Sequence, residues 1–268
     1  MGQESDGKGK PMRIVVLVKE VPDTYKERTL NHETGLADRA ASDRVLDEIV
    51  ERATEVAVSY AEAHPGTEIV LVSMGPEAAY ASLRRGLAMG ADRAIHIVDE
   101  ALQGADLTLT AEVLAQTLVR IGFDLVIAGD VSTDGSAGLI PAMLAERLGV
   151  PSATGLGAVH LTDVQVRGER ETDGGVYTVE ATLPAVMSIT ERLPDPRLPG
   201  FKGIMSAKKK PFETLTLAEL GIDADADMPR SIMIAVTPRP ARVAGIKIVD
   251  EGDAGDRLAE FLVENKVV

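Results

Sequence analysis

The chain contains no cysteine and no tryptophan, and only 4 tyrosines and 4 phenylalanines among its 268 residues. The first absence excludes disulfides, thiolate catalysis, cysteine-ligated iron–sulfur clusters and thiolate zinc sites. The second, with so few rings overall, removes the aromatic platforms on which nucleic-acid bases stack. Positive charge is scarce as well: 28 Lys and Arg face 42 Asp and Glu, for a formal net charge of −14. Nucleic-acid binding needs clustered basic charge, so no nucleic-acid partner is expected. No apolar run approaches the ~20 residues of a membrane-spanning helix, and the opening MGQESDGKGKP lacks the apolar core of a secretory signal. The expectation is a cytoplasmic chain with no direct membrane insertion. His32, His64, His96 and His160 are scattered with no i,i+4 pair, which argues against a metal site. His96, inside the apolar AIHIV, reads as a core histidine.

What is present fits an ordinary globular protein, 45% hydrophobic and 26% charged. Its length allows one large core, or a main core with a smaller appendage. In the first half, short apolar runs at Ile14–Val18, Ile69–Ser73, Ala94–Val98 and Leu125–Ala128 read as parallel strands covered on both faces. Helical patterns lie between them. Val45, Ile49, Ala53, Val56 and Tyr60 follow Ser42, an expected N-cap with Asp43 in the first turn. Leu83 and Leu87 follow the Gly75-Pro76 break, and Leu109, Val113, Leu114, Thr117 and Ile121 mark a third face. Strands alternating with helices indicate a doubly wound α/β sheet.

One segment is richer in chemistry than the rest. LVIAGDVSTDGSAGLIPAMLAERLG, Leu125 to Gly149, runs from an apolar strand through small and hydroxyl residues into an amphipathic helix. Small residues admit a ligand close to the backbone, and a helix N-terminus favours an anion. The layout suggests a phosphate cradle, although it matches neither GxGxxG nor GxxxxGK[ST]. A tight turn would have the same composition.

After residue 150 the rhythm changes to short alternating strands at Ala158–Leu161, Val164–Glu171, Val176–Ala181 and Ala185–Ser188. Asp173-Gly174-Gly175 reads as a hairpin turn, and the strands are expected to join the main sheet antiparallel. Leu193 to Gly203, LPDPRLPGFKG, holds three prolines and two glycines and is expected to be an exposed loop. Lys208-Lys209-Lys210 reads as a solvated charge run. A short helix at Leu217–Leu220, an extended tail with Pro238-Arg239-Pro240 and a final amphipathic helix near Asp256 to Glu264 complete the chain. So long a tail suggests an arm reaching another surface.

The segment VRGERETDGGVYTVEATLPAVMSI, with VLVKEVPDT, SMGPE, LAMGADRAIH, ERLPDPR and IMSAKKK, resembles the beta subunits of electron-transfer flavoproteins from Met12 onward. The resemblance implies a doubly wound, mainly parallel α/β sheet of the adenine-nucleotide-binding type, with added antiparallel strands and an extended C-terminal arm. It divides the chain into a disordered extension (1–11), the α/β domain (12–220, with a partner-recognition loop at about 186–205) and an arm (221–268) contacting the alpha subunit. The implied function is carriage of electrons from flavin dehydrogenases, such as acyl-CoA dehydrogenases, to a quinone oxidoreductase. Redox FAD sits mainly on alpha, while beta holds a structural AMP, or in bifurcating members a second FAD. The chain is then an electron carrier subunit with no catalytic residue of its own.

Carried onto this sequence, the nucleotide positions are Leu17, Asp43, Arg44, Val45, Leu46 and Met74, and then the loop. The loop comprises Gly129, Ser132, Thr133, Asp134, Gly135, Ser136, Ala137, Gly138, Leu139 and Ile140. It lacks the Asn-Gln-Thr of AMP-binding loops, so phosphate contacts are expected from backbone N–H groups and the Ser136 hydroxyl. Val21 to Thr24, VPDT, is similar to bifurcating members and points toward FAD, leaving AMP favoured over FAD without excluding it. Leu193 corresponds to the family's dehydrogenase-docking anchor, and Glu171 to a charged contact with the mobile flavin domain of alpha. Two rival classes share the expected sheet: an adenine-nucleotide hydrolase, which needs a base or cation near Asp134 that the loop itself does not supply, and a stress-type nucleotide-binding module.

Overall fold

The structure, a computed structural model, describes residues 11–25, 29–39, 41–224, 226, 231, 233–242, 244–245, 247 and 249–267. The expected N-terminal extension lies, apart from Pro11, outside them. The chain forms two units, Met1–Ile234 and Ala235–Val268.

In chain order the first unit opens with β1 (Arg13–Leu17), β2 (Glu20–Pro22), β3 (Arg44–Leu46), α1 (Glu48–Ala63) and β4 (Glu68–Met74). α2 (Tyr80–Met89), β5 (Arg93–Ile97), α3 (Leu107–Ile121), β6 (Leu125–Gly129) and α4 (Ile140–Leu148) follow. Then come β7 (Ser152–Leu156), β8 (Ala158–Leu161), β9 (Gln165–Thr172), β10 (Gly175–Thr182) and β11 (Ala185–Ile189). The unit ends with α5 (Phe201–Ala207), β12 (Phe212–Leu215) and α6 (Leu217–Leu220). Seven strands make one sheet in the order β12-β5-β4-β1-β6-β11-β7, and every pairing within it is parallel.

The apolar runs become central strands because both of their faces are covered. Ile14, Val16, Ile69, Leu71 and Ile127 pack beneath α1 and α2 with Ile49, Val50, Ala53, Val58, Leu83 and Leu87. Val15, Val70, Val72, Ile95 and Val126 pack beneath α3 and α4 with Val113, Leu118 and Leu144. The helices start and stop where short-range chemistry permits. Asp106 accepts the Leu109 N–H at 2.9 Å to cap α3, and Gly149, at φ 64°, ends α4 in the left-handed conformation.

Three expectations change. The antiparallel strands β8, β9 and β10 form their own three-stranded sheet and do not extend the main one. β11 instead returns to the main sheet as a parallel strand between β6 and β7. Alternation alone does not say which sheet a strand joins. Second, α1 does not begin near Ser42: Val45 belongs to β3, which pairs antiparallel with β2, and the helix starts at Glu48. Third, the Leu193–Gly203 loop is shorter than expected, because α5 begins at Phe201. His96 is buried, as a core histidine should be.

The second unit carries α7 (Ala254–Glu264). Leu258, Phe261 and Val263 of this helix are exposed. No helix among the described residues is long and apolar enough to cross a membrane.

Candidate functional site

Chain order reverses between β1 and β6: β4 and β5 lie to one side, β11 and β7 to the other. In open parallel sheets a crevice forms at the carboxyl ends of the strands where the order switches, and ligands bind there. Leu17 ends β1 and Gly129 ends β6, so the sequence-identified loop stands at that crevice. Gly129 owes its identity to packing: a Cβ there would lie 2.5 Å from Ile49 Cγ2 on α1.

The loop is tied down at its base. Asp130 accepts the hydroxyl of buried Ser188 at 2.7 Å, and that hydroxyl accepts the Gly155 N–H at 2.8 Å. Farther along, Gly135 donates its N–H to Asp134 Oδ1 at 2.6 Å. The Ser136 N–H and hydroxyl both turn to the Ser132 carbonyl, at 3.1 and 3.3 Å. Ser136 takes a left-handed φ of 52°, uncommon for a residue with a Cβ. The expected Ser136 hydroxyl donor is thus engaged inside the loop. The open donors come next: α4 starts after Leu139 with no side-chain cap and with Pro141 in its first turn, which leaves its first N–H groups and positive dipole end available to an anion.

Charge comes from elsewhere in the chain. Lys19 Nζ lies 2.6 Å from Asp134 Oδ1 and 3.3 Å from Ser132 Oγ. Arg39 donates to Asp134 Oδ2 at 2.8 Å. Burial alone would raise the Asp134 carboxyl, but Lys19 foremost, then Arg39 and Ser132, pull it from 3.8 down to about 2. The loop sequence alone shows no cation, yet the fold brings two. Neither could be read in advance, because they sit 115 and 95 residues away in sequence.

Asp47 is the other residue sequence reasoning missed. Its carboxylate accepts the Thr133 N–H at 3.0 Å and joins the first residue before α1 to the loop. Burial pushes its carboxyl above the usual range, opposed by the Thr133 and Ile49 amides and reinforced by the Asp134 charge. The expected segment Asp43 to Leu46 lies one step short of this contact. Asp43 and Arg44 are exposed, Arg44 faces Glu20 at 3.7 Å, Val45 is exposed and Leu46 belongs to the core. Leu17 and Met74 end neighbouring strands, and both pack on the α3/α4 core. Thr133, Asp134 and Ser136 line an open cavity of about 370 Å³ together with Pro22, Leu30 and Asp38. Ala137, Gly138, Leu139 and Ile140 lead from this cavity into α4.

The two residues expected to meet partners also have neighbours within the chain. Glu171 pairs with Arg192 at 2.5 Å. Leu193 is half-buried and packs on the α1/α2 core rather than standing free. The lysine run divides: Lys208 and Lys209 are exposed, while Lys210 turns inward to the Leu87 and Ala91 carbonyls at 2.9 and 2.6 Å.

Comparison with known proteins identifies the family. A family model described as the electron transfer flavoprotein domain matches residues 34–220. The electron transfer flavoprotein subunit beta of Mycobacterium tuberculosis is 47% identical over 263 residues, covering 95% of this chain and 99% of the relative. That of Bacillus subtilis is 34% identical over 252 residues, covering 94% and 96%. The caffeyl-CoA reductase-Etf complex subunit CarD of Acetobacterium woodii is 33% identical over 216 residues, covering 80% and 82%. By fold, by crevice and by these likenesses, the chain belongs to the beta subunits of electron transfer flavoproteins.

Proposed function

We propose that this chain, joined to an alpha subunit, carries electrons from flavin dehydrogenases such as acyl-CoA dehydrogenases to a quinone-linked oxidoreductase. FAD, held mainly by alpha, supplies the one- and two-electron chemistry. This chain completes the FAD pocket, holds a structural AMP in its β1/β6 crevice and reaches alpha with the arm that follows residue 220. The make-up of the crevice carries the reading. Lys19 and Arg39 are both bonded to Asp134, and Ser136 bonds back to Ser132. Two cations beside the uncapped start of α4 suit a phosphate, and this supports the reading.

Phosphate would rest on the uncapped start of α4 and beside Lys19 and Arg39, with Asp134 holding both cations in place. A second reading puts FAD in the same crevice. Pro22 of the VPDT segment, which is similar to bifurcating members, lines the cavity. AMP remains the primary reading. The test of function is direct: co-expressed with its alpha subunit, the chain should give a yellow complex whose flavin is reduced by a substrate-reduced acyl-CoA dehydrogenase. A colourless chain that hydrolyses ATP would overturn the proposal.

A further inference from the structure

We propose that a nucleotide's phosphate enters the β1/β6 crevice together with one proton, which Asp47 takes up while it goes on positioning the phosphate loop; the inference rests on the nucleotide reading above. Asp47 is the junction of three parts of the chain. Its N–H donates to the Lys19 carbonyl, just past β1, at 3.0 Å. Its own carbonyl accepts the Val50 and Glu51 N–H groups of α1 at 3.0 and 3.2 Å. Its Oδ2 accepts the Thr133 N–H of the loop at 3.0 Å. The side chain thus fixes where the loop stands against strand and helix, and it does so out of contact with solvent, at 1% exposure.

A carboxylate placed there is short of positive partners. Oδ1 is buried with no hydrogen-bond partner, and Asp47 makes no ion pair with a described residue. The charged groups on the surrounding elements are committed elsewhere. Lys19 and Arg39 both bond Asp134. Arg44 of β3 faces Glu20 of β2, and Arg85 of α2 bonds Glu51 of α1. Asp130, after β6, accepts the Ser188 hydroxyl, and Glu48 in the first turn of α1 is exposed. Asp134 adds its own negative charge to the surroundings of Asp47.

Counting charge shows why a proton should follow the phosphate. The carboxylates Asp47 and Asp134 balance the cations Lys19 and Arg39. A phosphate monoester brings about −1.5 to −2 at neutral pH, and the start of α4 offers only about half a positive charge. Excess negative charge in a water-poor site is relieved by protonating the carboxylate with least compensation. Asp134 does not qualify, because Lys19 and Arg39 hold its carboxyl down at about 2. Asp47 does, and burial already raises its carboxyl above the usual range. Oδ1 is bare and takes the proton from solvent, while Oδ2 keeps the Thr133 N–H. Neutral Asp47 retains its grip on the loop, and the phosphate loses a repulsive neighbour.

The test titrates AMP calorimetrically into the heterodimer of the full chain with alpha, once resident nucleotide has been dialysed away. Pairs of phosphate-free buffers that differ in ionisation enthalpy, across the neutral pH range, count the protons taken up. The phosphate of AMP titrates at about pH 6 on its own, so Asp47→Asn serves as the reference: it keeps an acceptor for Thr133 but carries no charge. The wild type should take up as much as one proton more than Asp47→Asn. Its Kd relative to that of the variant should rise with pH, by at most about tenfold per unit. Asp47→Ala, which lacks the acceptor, should bind AMP several-fold more weakly than Asp47→Asn. Equal proton uptake by wild type and Asp47→Asn overturns the linkage, and equal affinities of Asp47→Ala and Asp47→Asn overturn the positioning role. A wild-type heterodimer that binds no AMP at any of these pH values overturns the nucleotide reading itself, before any variant is made.

Discussion

Asp134 and Asp47 show how neighbouring carboxylates acquire opposite character from their surroundings. Lys19 and Arg39 hold Asp134 down at about 2, whereas burial, acting first, raises Asp47. Their signs in stability are therefore opposite. The depressed Asp134 contributes on the order of 2 kcal/mol that is fully present above about pH 4 and is lost as pH falls toward 2. The raised Asp47 contributes most below its unfolded value and loses that contribution as pH rises through its folded one. Asp134→Asn should therefore destabilise at pH 7 and flatten the acid limb of a stability–pH curve. Asp47→Asn keeps an acceptor for the Thr133 N–H and should be neutral or stabilising at pH 7. A stabilised Asp134→Asn together with a destabilised Asp47→Asn at pH 7 would reverse the assignment. Leu193 makes a second residue-scale test. Because it packs on the core, Leu193→Ala should cost about 1–2 kcal/mol of stability in denaturant titration, below the range for fully buried leucines. A silent substitution would mean that its core contact is immaterial.

Among the elements, the β9–β10 hairpin ends in a pair that can be remade. Glu171 and Arg192 are 45% and 58% exposed, so their contact is worth about 0–1 kcal/mol. If Glu171 exchanges Arg192 for an arginine of the alpha flavin domain, the two variants should act in opposite directions. Glu171→Ala should raise the fraction of open heterodimer seen by inter-subunit fluorescence transfer, by at most several-fold. Arg192→Ala should lower it, and a shift of the same sign in both would end the idea. The elements differ in how far they could be read from sequence. β1, β4, β5 and β6 were legible because buried parallel strands are continuous apolar runs. β7, SATGL, and β12, FETL, were not, since their small and polar residues suit the sheet's two edges as well as any loop. The loop's composition marked the crevice, but the partners that charge it were hidden in long-range contacts. The half-burial of Leu193 was hidden too, because three prolines nearby read as an exposed loop.

At the scale of the whole molecule, the chain is a parallel α/β sheet followed by a unit with little core of its own. None of the α7 residues is buried, while Leu258, Phe261 and Val263 offer an apolar face. The first unit holds both core layers, so a chain ending at Ile234 should fold with an unchanged unfolding midpoint but fail to co-purify with alpha. Retained assembly at wild-type affinity would remove the arm from the interface. The central claim is that the β1/β6 crevice holds a nucleotide within a flavin-carrying heterodimer. It is tested most directly by denaturing the purified heterodimer and quantifying the released nucleotides by mass. The account predicts one FAD and one AMP per heterodimer, with Lys19→Ala/Arg39→Ala depleting the AMP and leaving the FAD. FAD alone, at one per heterodimer with no AMP, would contradict it.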